Sequence, residues 1–538
     1  MERNPLAAIV AAASVFACAA GSTALLARGQ VPVPSPSASP ASPAAGTPSP
    51  APTQPPIILS PAAAQVAVGS QTTVHVMSAL GQLTLVISNP AVVDASIDQA
   101  TQTVTLSGKS PGSAIVTITD QRAISAPLQV RVAYNAGSIA DSASIRITGD
   151  PASPEFVKQE AAATAAALLQ TRPGAQAIVT TDLVNFTQPL QQDDTAVVDV
   201  PVLLQGDQYF SVSGTTHVRV ENVAAPAILP DSLMVSDYPE RLTANGILFA
   251  ADLQRAQPSR FLYFHFNPPG EPARRIVLRA ENRSAQPAQL QFISGQAGPA
   301  PNEMEVGHAA TQRFLERQVQ NEGRIITIAG SGTLQLTQQD LPPNAVVCGL
   351  LQLRVLNGST VHLTLFVQNA TSSPDEPLSG TDLLQGGQRH ARGLYSIPEF
   401  HYSRTWSTDA DYLELPIGDI PLPNVMQGEA LSGDYGVKQS FVVKVTNPTS
   451  KPQAIAIYEN PRGGRATGTY VIDGVLIQSH GVPAFSRYKI RQYVVPARGF
   501  LRVTIVTIPE SGSSYPLRLI FAPDDGSVAP GAPGSPVY

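Results

Sequence analysis

The sequence predicts a mainly β, multi-domain chain, with antiparallel β-sandwiches in series and one small α+β domain among them. Three observations carry that prediction. Apolar and polar residues alternate over much of the 538 residues, with the period of two that a half-buried strand requires. Forty-nine prolines and 40 glycines punctuate the chain into short segments, which suits strands joined by turns better than helical bundles. The length corresponds to three or four domains of ~100–200 residues, each able to bury its own core.

The first element is a targeting segment. After Met1-Glu2-Arg3-Asn4-Pro5, the run from Leu6 to Ala27 carries no charge, and Arg28 closes it. Residues 1–27 read as a signal peptide or signal anchor. The run is long enough for the ~30 Å hydrocarbon core of a bilayer, but alanine dominates it. Cleavage near Ala27 is the first expectation, and an N-terminal membrane anchor is the alternative. Cys18, in "VFAC", resembles the lipidated cysteine of a bacterial lipobox, with small Ala17 before it and an ill-fitting Phe16. The plainer reading of Cys18 is a small apolar residue within the signal. Residues 28–56 follow as a Pro/Ser/Ala-rich linker with too little hydrophobic surface to fold and enough proline to stay extended. A tether after an export signal places everything downstream outside the cytoplasm, as a secreted, periplasmic or surface-tethered chain. Only one other cysteine exists, Cys348, and its neighbours are apolar at strand spacing. With no disulfide partner for it after signal removal, core burial must hold each domain.

Residues 57–134 form the first folded unit. Val66 and Val68, Val74 and Val76, Leu83, Leu85 and Ile87, then Val104 and Leu106, alternate with polar neighbours. Residues Ile115 to Ile118 and Leu128, Val130 and Val132 complete a small sandwich. Turn signals separate these strands at "VGS", "SNP", "SGKSPGS" and "TDQR". The order "VAVGS", "SNPAVVDA", "VTLSGKSPGSAIVTITD", "LQVRV" resembles the bacterial group 2 immunoglobulin-like (BIG2) domain, and is similar to the N-terminal domain of pilus-assembly secretin proteins. Asn89-Pro90, Gly108-Lys109 and Gly112 are its most specific residues. The resemblance implies an Ig-like sandwich acting as a spacer, adhesive or assembly module, and not as an enzyme.

Residues 137–223 switch period. "SASIRITGD" alternates as a strand, whereas "SPEFVKQEAAATAAALLQTRPG" has helical spacing, with Val157, Ala161, Ala165, Leu168 and Leu169 on one face. Ser153 is placed to cap this helix, Pro154 suits its first position, and Pro173-Gly174 stops it. A small α+β domain follows from that mixture. Two related Ig-like sandwiches are then expected, at 226–380 with a helical insertion and at 385–523, before a disordered tail at 524–538. "IVLRAENRSAQPAQLQF" aligns with "FVVKVTNPTSKPQAIAI", matching Asn282 to Asn447 and Pro287 to Pro452 at a spacing of 165. Downstream, 341–367 is set beside 495–521.

Chemistry is sparse. A net charge of −6 with 14% charged residues gives no surface for a run of phosphates, which excludes nucleic acid as a partner. None of the eight histidines has a second at metal-ligand spacing, and neither a G-x-S-x-G elbow nor a P-loop is present, so no cofactor, metal or catalytic residue is expected. Asp409 and Asp411 are spaced as a calcium loop begins, but no glutamate completes one, so they read as a solvated loop. In "RFLYFHFN", Phe261, Tyr263 and His265 share one strand face and Leu262, Phe264 and Phe266 the other, one face being core and the other free for a neighbour or a sugar. The candidate recognition surface is the aromatic cluster Tyr395, Phe400, His401, Tyr402, Trp406 and Tyr412. The functional expectation is an exported, non-catalytic cell-envelope or secreted protein of structural, adhesive or assembly role, whose partner is a surface protein or a glycan. The alternative is a polysaccharide-binding or polysaccharide-processing extracellular protein. The sequence sets no oligomeric state.

Overall fold

The computed structural model describes residues 55–373, 382–426 and 428–527. The expected signal segment, Cys18, nearly all of the linker and the tail from 528 lie outside the described residues. Thirty-three strands and two α-helices occupy the described residues, so the chain is a mainly β assembly of sandwiches. No described helix is long and apolar enough to cross a membrane.

The first sandwich packs four strands against four. One sheet runs Ile58–Ser60, Gln71–Met77, Thr103–Gly108, Val93–Asp98, and the other Ala63–Ala67, Ser125–Ala133, Gly112–Thr119, Thr84–Ile87. Alternation sets its core: Val74, Val104, Leu106, Val116, Ile118 and Leu128 are fully buried, while Ile115, out of phase with them, faces solvent.

Helix α1 (Pro154–Ala167) begins where the sequence places it, with the Phe156 amide donating to Ser153 Oγ at 3.3 Å. Val157, Ala161 and Ala165 are buried on the sheet as expected. Leu168 departs from expectation and is exposed, because it is the C-cap residue and the helical phase ends before it. The strand Ser142–Thr148 pairs in parallel with Val212–Asn222 and antiparallel with Gly323–Ile328. The α+β unit and the next sandwich therefore share one ten-stranded sheet. Helix α2 (Glu303–Val319), the expected insertion, lies on the same sheet, and its Arg317 reaches Gln159 of α1 at 3.0 Å. That sheet ends on Arg392–Tyr395, which pairs with Ser232–Ser236, so the chain from 385 is still part of the first C-terminal sandwich. The second begins at the strand Glu399–Ser407.

The two C-terminal sandwiches share one arrangement of five strands. Arg274–Asn282 pairs with Thr333–Leu341 as Lys438–Thr446 pairs with Phe500–Thr507. Ala288–Ala300 is flanked by Gly323–Ile328 and Ala345–Asn357, as Gln453–Pro461 is by Tyr488–Val495 and Leu517–Pro523. Asn282 and Asn447 fill equivalent turns. The Asn282 amide donates to the carbonyls of Gln286, Ile328 and Ala329, and the Asn447 amide to those of Lys451, Val495 and Pro496. Each Asn Oδ1 accepts from the backbone and hydroxyl of the residue two further on, Ser284 or Thr449. The downstream alignment is corrected by one strand. Setting 341–367 beside 495–521 places Ala345–Asn357 opposite Phe500–Thr507, whereas ladder position makes Leu517–Pro523 its counterpart. The slip arises because Val361–Asn369 has no equivalent after Leu517–Pro523 among the described residues, while Glu399–Ser407 takes its flank in parallel.

Two further expectations change. Every residue of Ser259–Asn267 is buried, so both faces of "RFLYFHFN" are core. Phe261 and Tyr263 fill the space between the sheets, while Leu262, Phe264 and Phe266 pack with α2 residues. The chain also remains ordered past 524. The Lys489 ammonium, 1% exposed, is bonded to the Asp524 carboxylate and the Ser527 carbonyl, since a buried cation requires such partners.

Candidate functional site

The sandwiches meet on two sets of buried charges. At the first, the Arg260 guanidinium, fully buried, donates to the Pro398 and Gly436 carbonyls at 2.7 and 3.2 Å and to Glu399 at 2.9 Å. Lys438 approaches the same carboxylate at 2.7 Å. One anion thus joins a cation from each sandwich. At the second, His308 of α2 meets Glu510, which follows the strand Phe500–Thr507.

Beside these contacts opens a cleft of about 460 Å³. Its walls come from chain segments far apart in sequence: Asp237 and Glu240 after Ser232–Ser236, Glu303 at the start of α2, Arg389-His390, Glu429 to Tyr435, and Ser511 to Ser513. A smaller cavity of about 250 Å³ adjoins it and shares Arg389, His390 and Glu429. His390 is held between two carboxylates, its Nε2 3.1 Å from Glu240 and its Nδ1 3.4 Å from Asp237. The hydrogen bond to Asp237 raises the pKa of the imidazole, although burial opposes it. Burial in turn pushes the Asp237 carboxyl up to about 6, against the pull of His390. The cleft is therefore rich in carboxylates and has an apolar floor at Leu262 and Phe264. His390's bonded partners among the described residues are carboxylates, not the serines of the cleft wall. Nor do any three His, Cys, Asp or Glu among the described residues stand so as to hold a metal ion.

The aromatic cluster proposed from sequence does not come together as a surface. Tyr395 is fully buried with its hydroxyl on the Glu429 carbonyl at 2.9 Å, and Trp406, 4% exposed, packs in the second core against Phe521. Phe400 and Tyr402 are half-buried, Tyr402 stacking on Phe441 at 5.0 Å. His401 and Tyr412 are exposed. The reason is strand phase: Phe400, Tyr402 and Trp406 share the inward side of Glu399–Ser407, while His401 points out. Asp409 and Asp411 are exposed, and Cys348 is buried with its thiol pKa raised by burial.

Sequence reading missed the cleft. The one local trace of it is charge where neighbours are apolar, in "SDYPER" around Asp237 and "QRHARG" around His390.

No protein-family model matches the chain, and no curated protein matches it. Among solved structures it is similar to the M60 catalytic domain with two CBM51 domains of Clostridium perfringens ZmpB, at 10% identity and a TM-score of 0.14, over 77% of this chain and 49% of that one. The tandem Ig repeats of Dlar match at 9% identity and a TM-score of 0.13, over 31% and 98%. The Bacteroides ovatus mixed-linkage glucan utilization protein SGBP-B, in complex with a mixed-linkage heptasaccharide, matches at 8% identity and a TM-score of 0.12, over 56% and 71%. The chain spans about half the length of the first of these. Superposition this poor transfers neither fold nor ligand.

Proposed function

We propose that this chain is an exported, non-catalytic component of a cell envelope or extracellular space, with a structural, adhesive or assembly role. Its partner, a surface protein or a glycan, engages the cleft between the two C-terminal sandwiches. The observation that carries this reading is where the polar chemistry lies. The Arg260–Glu399–Lys438 and His308–Glu510 contacts join one element to another, while the imidazole of the open cleft is bonded to carboxylates rather than to any of the serines that line it. The likeness of residues 57–134 to group 2 immunoglobulin-like domains agrees with a modular, tethered chain.

Polysaccharide processing is the second reading, and it moves from the aromatic segment to the cleft. Asp237, with its carboxyl pushed up to about 6, lies across the His390 ring from Glu240, and a pair of carboxyls is what glycoside hydrolysis uses. The two readings separate in one experiment on the purified mature chain, screened on envelope glycans and surface proteins for binding and for turnover. The first requires binding without turnover, weakened about tenfold or more in Asp237→Asn. Turnover that Asp237→Asn or Glu240→Gln abolishes establishes the second. Export has its own test, since residues 1–56 fused to a reporter that works only outside the cytoplasm must give activity.

A further inference from the structure

Helix α2 is the wedge between the two sandwiches. Val306, Ala310 and Phe314 bury one side of it in the core beneath the ten-stranded sheet. Its other side meets the second sandwich so closely that a Cβ on Gly307 would lie 1.7 Å from the Ser511 carbonyl oxygen. The next residue, His308, is 3% exposed, and its Nδ1 stands 2.9 and 3.1 Å from the two oxygens of Glu510, which is fully buried. Glu510 also accepts the Thr467 and Thr469 hydroxyls at 2.5 and 2.6 Å, so its anion is fixed in place. The far nitrogen of the ring, Nε2, is buried without a partner among the described residues.

We propose that the His308–Glu510 contact is a proton-dependent latch between α2 and the second sandwich, closed while the imidazole is charged and loosened when its proton is lost. A neutral ring still donates through Nδ1, but it leaves the Glu510 anion buried among neutral donors, and that uncompensated charge weakens the junction.

The groups around the ring favour this direction. From α2 itself comes Glu305, one turn earlier, which also reaches His480 at 3.6 Å. The strand Val475–Val482 contributes His480, its ring edge-on to His308 at 4.5 Å, and the strand Ala466–Ile472 contributes Thr467, Thr469 and Tyr470. The segment after Phe500–Thr507 adds Glu510 and Tyr515, whose hydroxyl accepts the Glu510 amide at 3.0 Å. Cys348 approaches from the sheet below, and Glu459 from the strand Gln453–Pro461. Burial disfavours the His308 imidazolium, but the hydrogen bond and charge of Glu510 outweigh it and raise the pKa. Burial also pushes the Glu459 carboxyl up to about 8, so it stays neutral until alkaline pH and then adds a second anion facing Glu510. A raised histidine stabilises below its unfolded value and loses that effect as pH rises through its folded value. A raised carboxyl loses stability over a rise in pH as well, so both groups open the junction toward alkali. Ser511, Gly512 and Ser513, directly after Glu510, line the cleft, so the latch and the cleft share a segment.

Amide hydrogen exchange on the full mature chain tests this, read as protection after correction for intrinsic exchange, between about pH 6 and about pH 9. Protection of α2 and of Ala466–Ile472 is expected to fall roughly tenfold or more across that range, with Gln71–Met77 in the first sandwich unchanged. With Glu459→Gln present throughout, which removes that carboxyl's own fall over this range, the step is expected to persist, His308→Gln to give low protection at both ends with no step, and His480→Gln to keep the step. A flat wild-type profile overturns the proposal, as does a fall shared equally by Gln71–Met77, or a step that survives His308→Gln. If His308→Gln does not fold, the wild-type series and His480→Gln decide, because loss of the step in His480→Gln would assign the proton elsewhere.

Discussion

Asn282 and Asn447 are one residue written twice, and removing either should have the same cost. Each is at most 1% exposed, each carries its amide to three backbone carbonyls, and each accepts two bonds through Oδ1 from the residue two further on, Asn447 with a third and longer one from the Thr408 hydroxyl at 3.4 Å. Alanine at either position deletes all of these at once and leaves the buried Ile328 or Val495 carbonyl without the side-chain donor it has now. At a net ~0.5–1.5 kcal/mol per bond, and with part of the amide shared between two carbonyls, the loss is about 3–4 kcal/mol in each sandwich. Aspartate is the sharper probe. It keeps the acceptor that holds Ser284 or Thr449 but turns a carboxylate on three carbonyls, so at neutral pH it should destabilise more than alanine, and in acid less than at neutrality. Because a chain of several domains need not unfold in one step, the measurement is amide exchange of Arg274–Asn282 and Lys438–Thr446, which gives each sandwich its own opening free energy. Trp406, the single tryptophan, adds a fluorescence signal for the second sandwich alone. A loss under about 1 kcal/mol in one sandwich beside more than about 3 kcal/mol in the other would refute equivalence of the turns.

Glu399→Gln should weaken the junction by ~3–5 kcal/mol, because Arg260 and Lys438 stay buried opposite a neutral amide, and replacing all three by methionine should cost less than that single change in denaturation measurements. Gly307→Ala is expected to release α2 from the second sandwich, since backbone rather than a movable side chain occupies the place of the new Cβ, and limited proteolysis around Ser511 should detect it. Glu459→Gln should flatten the fall in stability between pH 4.5 and about 8. A raised carboxyl keeps its proton in the folded chain after the unfolded chain has released it, so stability drops across that window, by up to ~5 kcal/mol. Thermal unfolding at both ends of the window measures the difference between wild type and variant.

The legible part of the fold was local. Alternation located the first sandwich because its strands are half-buried and a slip of one residue would turn Val74, Val104 and Leu106 to solvent. The α1 boundary was readable because a serine cap and a following proline act within four residues of each other. The Asn repeat was readable for a related reason: both the asparagine and the hydroxyl residue two positions on are needed for one turn, and they recur together. Sheet continuity was not readable. That Ser142–Thr148 pairs with Gly323–Ile328 is decided by partners some 180 positions apart, and a strand buried on both faces has the same pattern whichever domain supplies its neighbour.

The cleft was illegible for a different physical reason. Its carboxylates and His390 lie on segments between strands, where no period links one residue to the next, and they converge only because two sandwiches and α2 pack together. The aromatic cluster misled by the same logic, since proximity in sequence along Glu399–Ser407 divides its side chains between two faces. A strand gathers residues two apart, whereas a junction gathers residues regardless of spacing. His308 and Glu510, 202 positions apart, are the clearest case: each alone is an ordinary surface-type residue, and only their burial against each other gives the pair a charge state that matters. In a chain of bonded sandwiches, chemistry should therefore be sought at the seams, where packing of separate cores forces polar groups from both sides into a common space.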